Sequence, residues 1–242
     1  MSHREDYQIR RSTRAKQARI IVSADKVEVV VPLRMSVKQV QQFVQEKKEW
    51  VTTARSKVRT HVANIASFAP DSYQQGAMIP FQGEKYPLQI KSTDNRQITI
   101  EFNLEFVANV PNSLGKKLTV IELSEQIRIV LMAWMGQMAD QQVREYTQKY
   151  QTLYQLQARS VSVKTQKSRW GSCGIHNDIY LNWLLILAPV AVFEYVVIHE
   201  ICHLQHRNHS GTFWGLVAKH CPEYNKQRHW LKQHGASLML GL

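Results

Sequence analysis

Cysteine is scarce: Cys173, Cys202 and Cys221 are the only three in 242 residues, so a complete disulfide framework is excluded because one thiol is always left over. No run approaches the ~18 apolar residues of a membrane span, and the opening MSHREDYQIRRSTRAK lacks the apolar stretch of a secretory signal. No membrane partner is expected, and a cytoplasmic setting with reduced thiols is. Acid is in short supply too. Nineteen Asp and Glu face thirty-one Lys and Arg, leaving +12 and a sequence pI near 9.7. Such a field favours polyanions or acidic surfaces and says nothing about fold. There is no P-loop or Gly-rich phosphate cradle, no low-complexity tract, and no repeat of roughly 20–50 residues. What is present is ordinary for a globular chain: 44% apolar and 21% charged residues, enough for a core and against disorder.

The positive charge lies at the two ends. Residues 1–60 carry net +8, residues 61–158 net −1, and residues 159–242 net +5. YQIRRS, ARIIVS and VEVVVP read as short strands, the last stopped by Pro32. Ser36 is a plausible N-cap for one helix from Val37 to about Val58, where Val40, Phe43, Val44, Lys47, Trp50 and Val51 recur at helical spacing. Its Lys47, Lys48, Arg55, Lys57 and Arg59 form either a solvated face or a surface for an anionic partner. Breakers crowd residues 64–118 (Pro70, Gly76, Pro80, Gly83, Pro87, Pro111, Gly115), and the pieces between them suggest hairpins. A long helix follows from Leu118 to about Tyr150, with Gly136 able to weaken or kink it. The chain is thus α+β. A boundary near residues 112–120 would divide a β-rich region with one basic helix, 1–115, from a second domain, 116–242.

The chemistry concentrates in VVIHEICHLQHRNHSGTFW, residues 196–214. On a helix His199 and His203 leave the same face one turn apart, where two imidazoles can hold one zinc ion. Glu200 sits about 100° around that helix, beside an open coordination position, where a carboxylate can take a proton from water. Pro189 is tolerated in a first helical turn, and Phe193, Val196, Val197 and Ile201 supply a buried stripe. Ionisable groups in so apolar a run are costly unless something compensates, and a metal ion does. A catalytic zinc needs a third ligand, and His206 and His209 are the candidates. On a straight helix His206 would lie ~10 Å from His199 along the axis, too far to share a tetrahedron. A turn at Arg207-Asn208, with Asn in a left-handed conformation, would bring His209 in from outside. His209 is therefore favoured, with His206 the runner-up or a substrate contact. Cys173 and Cys202 have no CxxC partner and read as core.

KSRWGSC at 167–173, IYLNWLLILAP at 179–189, the segment above and the tail PEY…RHWLK together resemble the YgjP/SprT-like zinc metallopeptidase family. RRSTRAKQARIIV, VEVVVPLRMSV and FVQEKKEWV also resemble its opening segments. The resemblance implies a zincin-like C-terminal domain, a small sheet beside an active-site helix. It implies Zn2+ or another divalent ion on His199, His203 and His209, with Glu200 as general base. His206 stands where related clans carry glycine.

SVSVKTQKSRW and DIYLNWLLIL would lie beside the zinc helix, and DIYLNWLLIL is the candidate edge strand for pairing with an extended peptide. Arg169, Tyr180 and Asn182 are candidates for hydrogen bonds to a developing oxyanion. The first expectation is therefore peptide-bond hydrolysis. The alternatives are attack on a nucleoside triphosphate and a DNA-associated protease whose basic surface makes non-specific phosphate contacts. A non-catalytic structural zinc site is disfavoured, since it would need a fourth protein ligand and no adjacent base.

Overall fold

The computed structural model describes residues 7–23, 26–63 and 65–242. The chain divides between Ala66 and Ser67 into two compact units. In the first, β1 (Gln8–Ser12), β2 (Arg19–Val22) and β3 (Val27–Pro32) form a sheet of order β1-β3-β2. The central strand runs parallel to β1 and antiparallel to β2. Its valines are buried on both faces, as a paired central strand requires, and Pro32 ends it because proline offers no ladder N–H. Ser36 caps α1 (Val37–Glu46) in a reciprocal box: its Oγ accepts from the Gln39 N–H at 3.3 Å, and its own N–H donates to Gln39 Oε1 at 2.9 Å. Val29, Val31 and Val40 form the small core, with Ile20, Phe43 and Val44 against it.

The single helix expected over 37–58 is two helices. At Lys47 the backbone swings to φ −102°, ψ 8°, and α2 (Lys48–Ala63) begins on the next residue. The Lys47 N–H donates to Val44 O at 3.1 Å, a tightened last turn rather than a break at Gly or Pro. Ile20, Phe43, Lys47 and Trp50 line a shallow groove of about 260 Å³.

The second unit opens with β4 (Met78–Phe81), β5 (Glu84–Thr93), β6 (Thr99–Phe102) and β7 (Phe106–Pro111), in the order β4-β5-β7-β6. The expected hairpins are β4–β5 and β6–β7, but β5 and β7 join them in parallel. A short α3 (Asn112–Lys117) leads into α4 (Val120–Tyr154), which starts on a Thr119–Glu122 capping box and runs through Gly136 without interruption. Ile127, Leu131, Met135, Ala139 and Val143 bury one stripe of α4. Phe81, Phe102 and Phe106 close around Trp134, with the Phe106 and Trp134 rings edge-on at 5.6 Å. The sheet and the long helix share one core, so no boundary falls near 112–120. Of the breakers, Gly76 and Gly83 sit in turns, Pro80 and Pro87 lie within β4 and β5, Pro111 ends β7 and Gly115 lies in α3, all inside one unit.

The third sheet comprises β8 (Ser160–Lys164), β9 (Gly171–Cys173) and β10 (Asp178–Asn182), ordered β8-β10-β9. This corrects the expected edge. β10 is central, parallel to β8 and antiparallel to β9, and the three-residue β9 is the edge beside the helix that follows. Asp178, at the head of β10, accepts from Arg159 and from the Ser160 hydroxyl at 2.6 Å. The Arg159 guanidinium draws its carboxyl down to about 2.

A 3-10 turn over Trp183–Leu187 then delivers the chain to α5 (Val190–Cys202), followed by α6 (Gly211–His220) and α7 (Tyr224–Met239). The β4–β5 hairpin tip braces this entry. Gln82 and Gly83 take φ of 52° and 88°, and their N–H groups donate to Ile186 O at 2.8 Å and Leu187 O at 3.1 Å. A Cβ on Gly83 would lie 2.8 Å from Pro189 Cα, so only glycine allows this approach at that backbone angle. The result is a mixed α+β architecture of small sheets and long helices. No helix among the described residues is long and apolar enough to cross a membrane.

Candidate metal centre

Helix α5 is buried around most of its circumference, from Val192 and Phe193 through Tyr195–Ile198 to Glu200–Cys202. His199 and His203 emerge together from its last turn, with ring centroids 4.9 Å apart and planes nearly perpendicular. The helix ends through short-range bonds, Leu204 N–H to Ile201 O and Gln205 N–H to Cys202 O, and the chain bends at Arg207-Asn208. The bend falls at the expected place, but Asn208 is not left-handed. His209 comes back over the helix so that its Nε2 lies 3.1 Å from His199 Nε2. Ligand atoms of all three imidazoles fall within 4.8 Å of one another. His206 is not among them. Its backbone carbonyl instead faces His203 Nδ1 at 2.9 Å, which places the His203 proton on Nδ1 and leaves Nε2 free for a ligand.

The donor set fits a divalent ion. Two nitrogens on one zinc stand about 3–3.5 Å apart, given bonds near 2.1 Å, and the His199–His209 approach of 3.1 Å matches. His199 and His203 are also held neutral, which is the ligating form. Burial, with His203 and His209 alongside, brings His199 down to about 3, and burial lowers His203 as well.

Glu200 is 5% exposed, and its Oε2 has no hydrogen-bond partner among the described residues. Burial pushes the carboxyl up to about 8, opposed only by the charge of Arg169. Strand β9 lies directly on it. A Cβ at Gly171 would stand 2.6 Å from Glu200 Cγ and 2.6 Å from Oε1, so the strand reaches the carboxylate only because residue 171 has no side chain. Gly171, Ser172, Cys173, His199, Glu200, His203, Arg207 and His209 line one open cleft of about 260 Å³.

Aromatic residues of α6 pack on the three imidazoles, a role the sequence did not reveal. Phe213 stacks on His203 at 4.4 Å and meets the edges of His199 and His209, each at 4.9 Å. Trp214 stacks on His209 at 5.6 Å and on Tyr224 at 5.3 Å, with the Arg228 guanidinium over its ring at 4.7 Å. The only available hint was that SGTFW directly follows the third histidine.

The candidate oxyanion contacts disperse. Asn182 is wholly buried, donating to Gln166 O and Arg169 O and accepting from the Leu184 N–H. Tyr180 is opposite Ser172, while Leu181 pairs with Gly171, the residue that touches Glu200. By the two-residue alternation of strands, Tyr180 projects from the face away from α5, and its ring carries Lys164 Nζ at 3.6 Å. Arg169 is exposed, and its charge reaches Glu200. Cys202 is buried as expected; Cys173 is half-buried on the cleft wall.

The description of a YgjP-like metallopeptidase domain matches residues 16–234 of this sequence. The chain belongs to the YgjP-like family. Membership makes this YgjP-like protein a metallopeptidase, and with it come a divalent metal and a peptide or protein substrate. No curated protein matches the sequence. Among solved structures, the metallopeptidase zymogen of Pyrococcus abyssi abylysin is similar at 22% identity, covering 37% of this chain and 93% of that one with a TM-score of 0.34. In the YgjP-like chain the family match spans both compact units, whereas the residues lining the metal cleft all lie in the second.

Proposed function

We propose that this chain is a zinc-dependent peptidase in which His199, His203 and His209 hold the ion and Glu200 is the general base. The observation that carries the reading is the convergence of three imidazoles beside a buried carboxylate oxygen that no group among the described residues satisfies. A zinc ion in such a site supplies a Lewis acid that can lower the pKa of water from 15.7 toward ~7 and polarise a carbonyl. Glu200 takes the proton of the attacking water and passes it to the departing amine.

The substrate is held by β9. Gly174 N–H donates to Asp178 O and Asn182 N–H to Trp170 O, so residues 170, 172 and 174 turn their peptide groups toward β10. By alternation the peptide groups of Gly171 and Cys173 face the free edge, where an extended chain can pair with them. Arg169 remains a candidate contact for the developing oxyanion, and His206 serves through its carbonyl. The nucleotide and DNA readings gain no comparable support, since among the described residues Arg207 is the only cation lining the cleft.

Metal-loaded protein is expected to cleave casein-like polypeptides and to leave nucleoside triphosphates intact. Triphosphate turnover with no polypeptide cleavage would overturn the reading. For the ligand set, His209→Ala should strip most of the zinc that survives dialysis, while His206→Ala should retain it; metal analysis giving the reverse order would promote His206.

A further inference from the structure

Arg207 stands at the bend after α5, exposed on the cleft rim, yet its head group is tethered. Nη1 donates to Gly174 O at 2.7 Å and lies 3.4 Å from Cys173 Sγ, and Nη2 donates to Asn177 Oδ1. All three partners are neutral. Among the described residues no carboxylate pairs with this guanidinium, and Glu200 is the only acid lining the cleft. A guanidinium has five N–H donors, so two remain for another acceptor. An ordinary surface arginine loses rotamer freedom when it grips an anion. Arg207 is already confined by the β9–β10 turn, so that cost is reduced.

Its position along the strand matters as much. The outward peptide groups of Gly171 and Cys173 are about 6.6 Å apart at ~3.3 Å per residue. Gly171 lies on Glu200, which fixes the reacting end of the edge, and Arg207 lies at the Cys173–Gly174 end. We infer that Arg207 makes the cleft select peptides bearing a carboxylate about two or three residues from the scissile bond, on the side that pairs with Cys173. This rests on the peptidase reading and adds the class of peptide. The carboxylate is either an acidic side chain or the end of a short peptide.

The test compares zinc-loaded protein on matched peptides with Glu or Gln at those positions, each as a free acid and as a C-terminal amide. Wild type should favour the Glu or free-acid peptide by about 10- to 100-fold in kcat/KM. The pair that shows the gap names the source of the carboxylate. Arg207→Gln should bring the ratio close to one, whereas Asn177→Ala, which loosens the tether and keeps the charge, should retain much of it. Fluorescence anisotropy of the same peptides on zinc-loaded Glu200→Gln protein, with and without Arg207→Gln, gives an answer that needs no turnover. Equal losses on acidic and neutral peptides would make Arg207 a strap for the turn and overturn the inference. Wild-type cleavage of neutral peptides with no acidic preference would do so too, while leaving the peptidase reading intact. If no peptide is cleaved the peptidase reading fails, and the anisotropy still decides whether Arg207 binds carboxylates.

Discussion

Glu200→Gln is expected to keep its zinc and lose about 10²–10⁴-fold in turnover. The amide matches the carboxylate in size, so the packing around a side chain that is 5% exposed is preserved. The three imidazoles are untouched, and metal content should stay at the wild-type level. What disappears, on the proposed reading, is the cleft carboxylate that takes a proton from water and returns it. Metal analysis and peptide turnover on one preparation separate the two effects. Wild-type turnover in that variant would remove Glu200 from the mechanism.

Gly171→Ala is expected to be nearly as damaging, although it adds one methyl group and removes nothing. The new Cβ would meet Glu200 Cγ and Oε1 at 2.6 Å, so either the carboxylate or β9 must yield. A displacement of the order of 1 Å at a reacting group can cost about 10²-fold. Overpacking of this kind also destabilises by about 1–3 kcal/mol. Gly215→Ala on α6 is the control, because nothing lies within 4 Å of its added Cβ. That change should leave turnover alone and raise stability by up to ~1 kcal/mol, as alanine does in a helix. Thermal denaturation alongside turnover distinguishes a moved carboxylate from an unfolded chain. Full activity in a folded Gly171→Ala protein would show that strand and base are not in register as described.

The part of the site that was legible in the sequence is the part written in local geometry. His199, Glu200 and His203 follow from helical spacing, and His209 follows from the length argument that excludes His206 along a straight helix. Gly171 could not be read in this way, because its importance is a contact with a residue twenty-nine positions later. The three-residue β9 carries no periodicity, so the longer, more apolar DIYLNWLLIL reads as the edge, whereas burial on both faces of its Asp178–Asn182 portion marks a central strand. The boundary expected near 112–120 failed for a related reason. Prolines and glycines here fall within strands and a helix as well as in turns, and the packing of Phe81, Phe102 and Phe106 on Trp134 joins the elements they punctuate into one unit. The break at Lys47 has no residue of special backbone freedom to announce it.

The β4–β5 hairpin tip has a practical consequence for anyone trimming this molecule. Gln82 and Gly83 clasp the segment that launches the histidine-bearing helix, from more than a hundred positions upstream. A fragment begun at Leu118 would contain all three imidazoles and the carboxylate yet lack the peg against which Pro189 rests. The shortest piece able to hold these four side chains in the native arrangement must therefore reach back past the hairpin, into sequence that carries none of them.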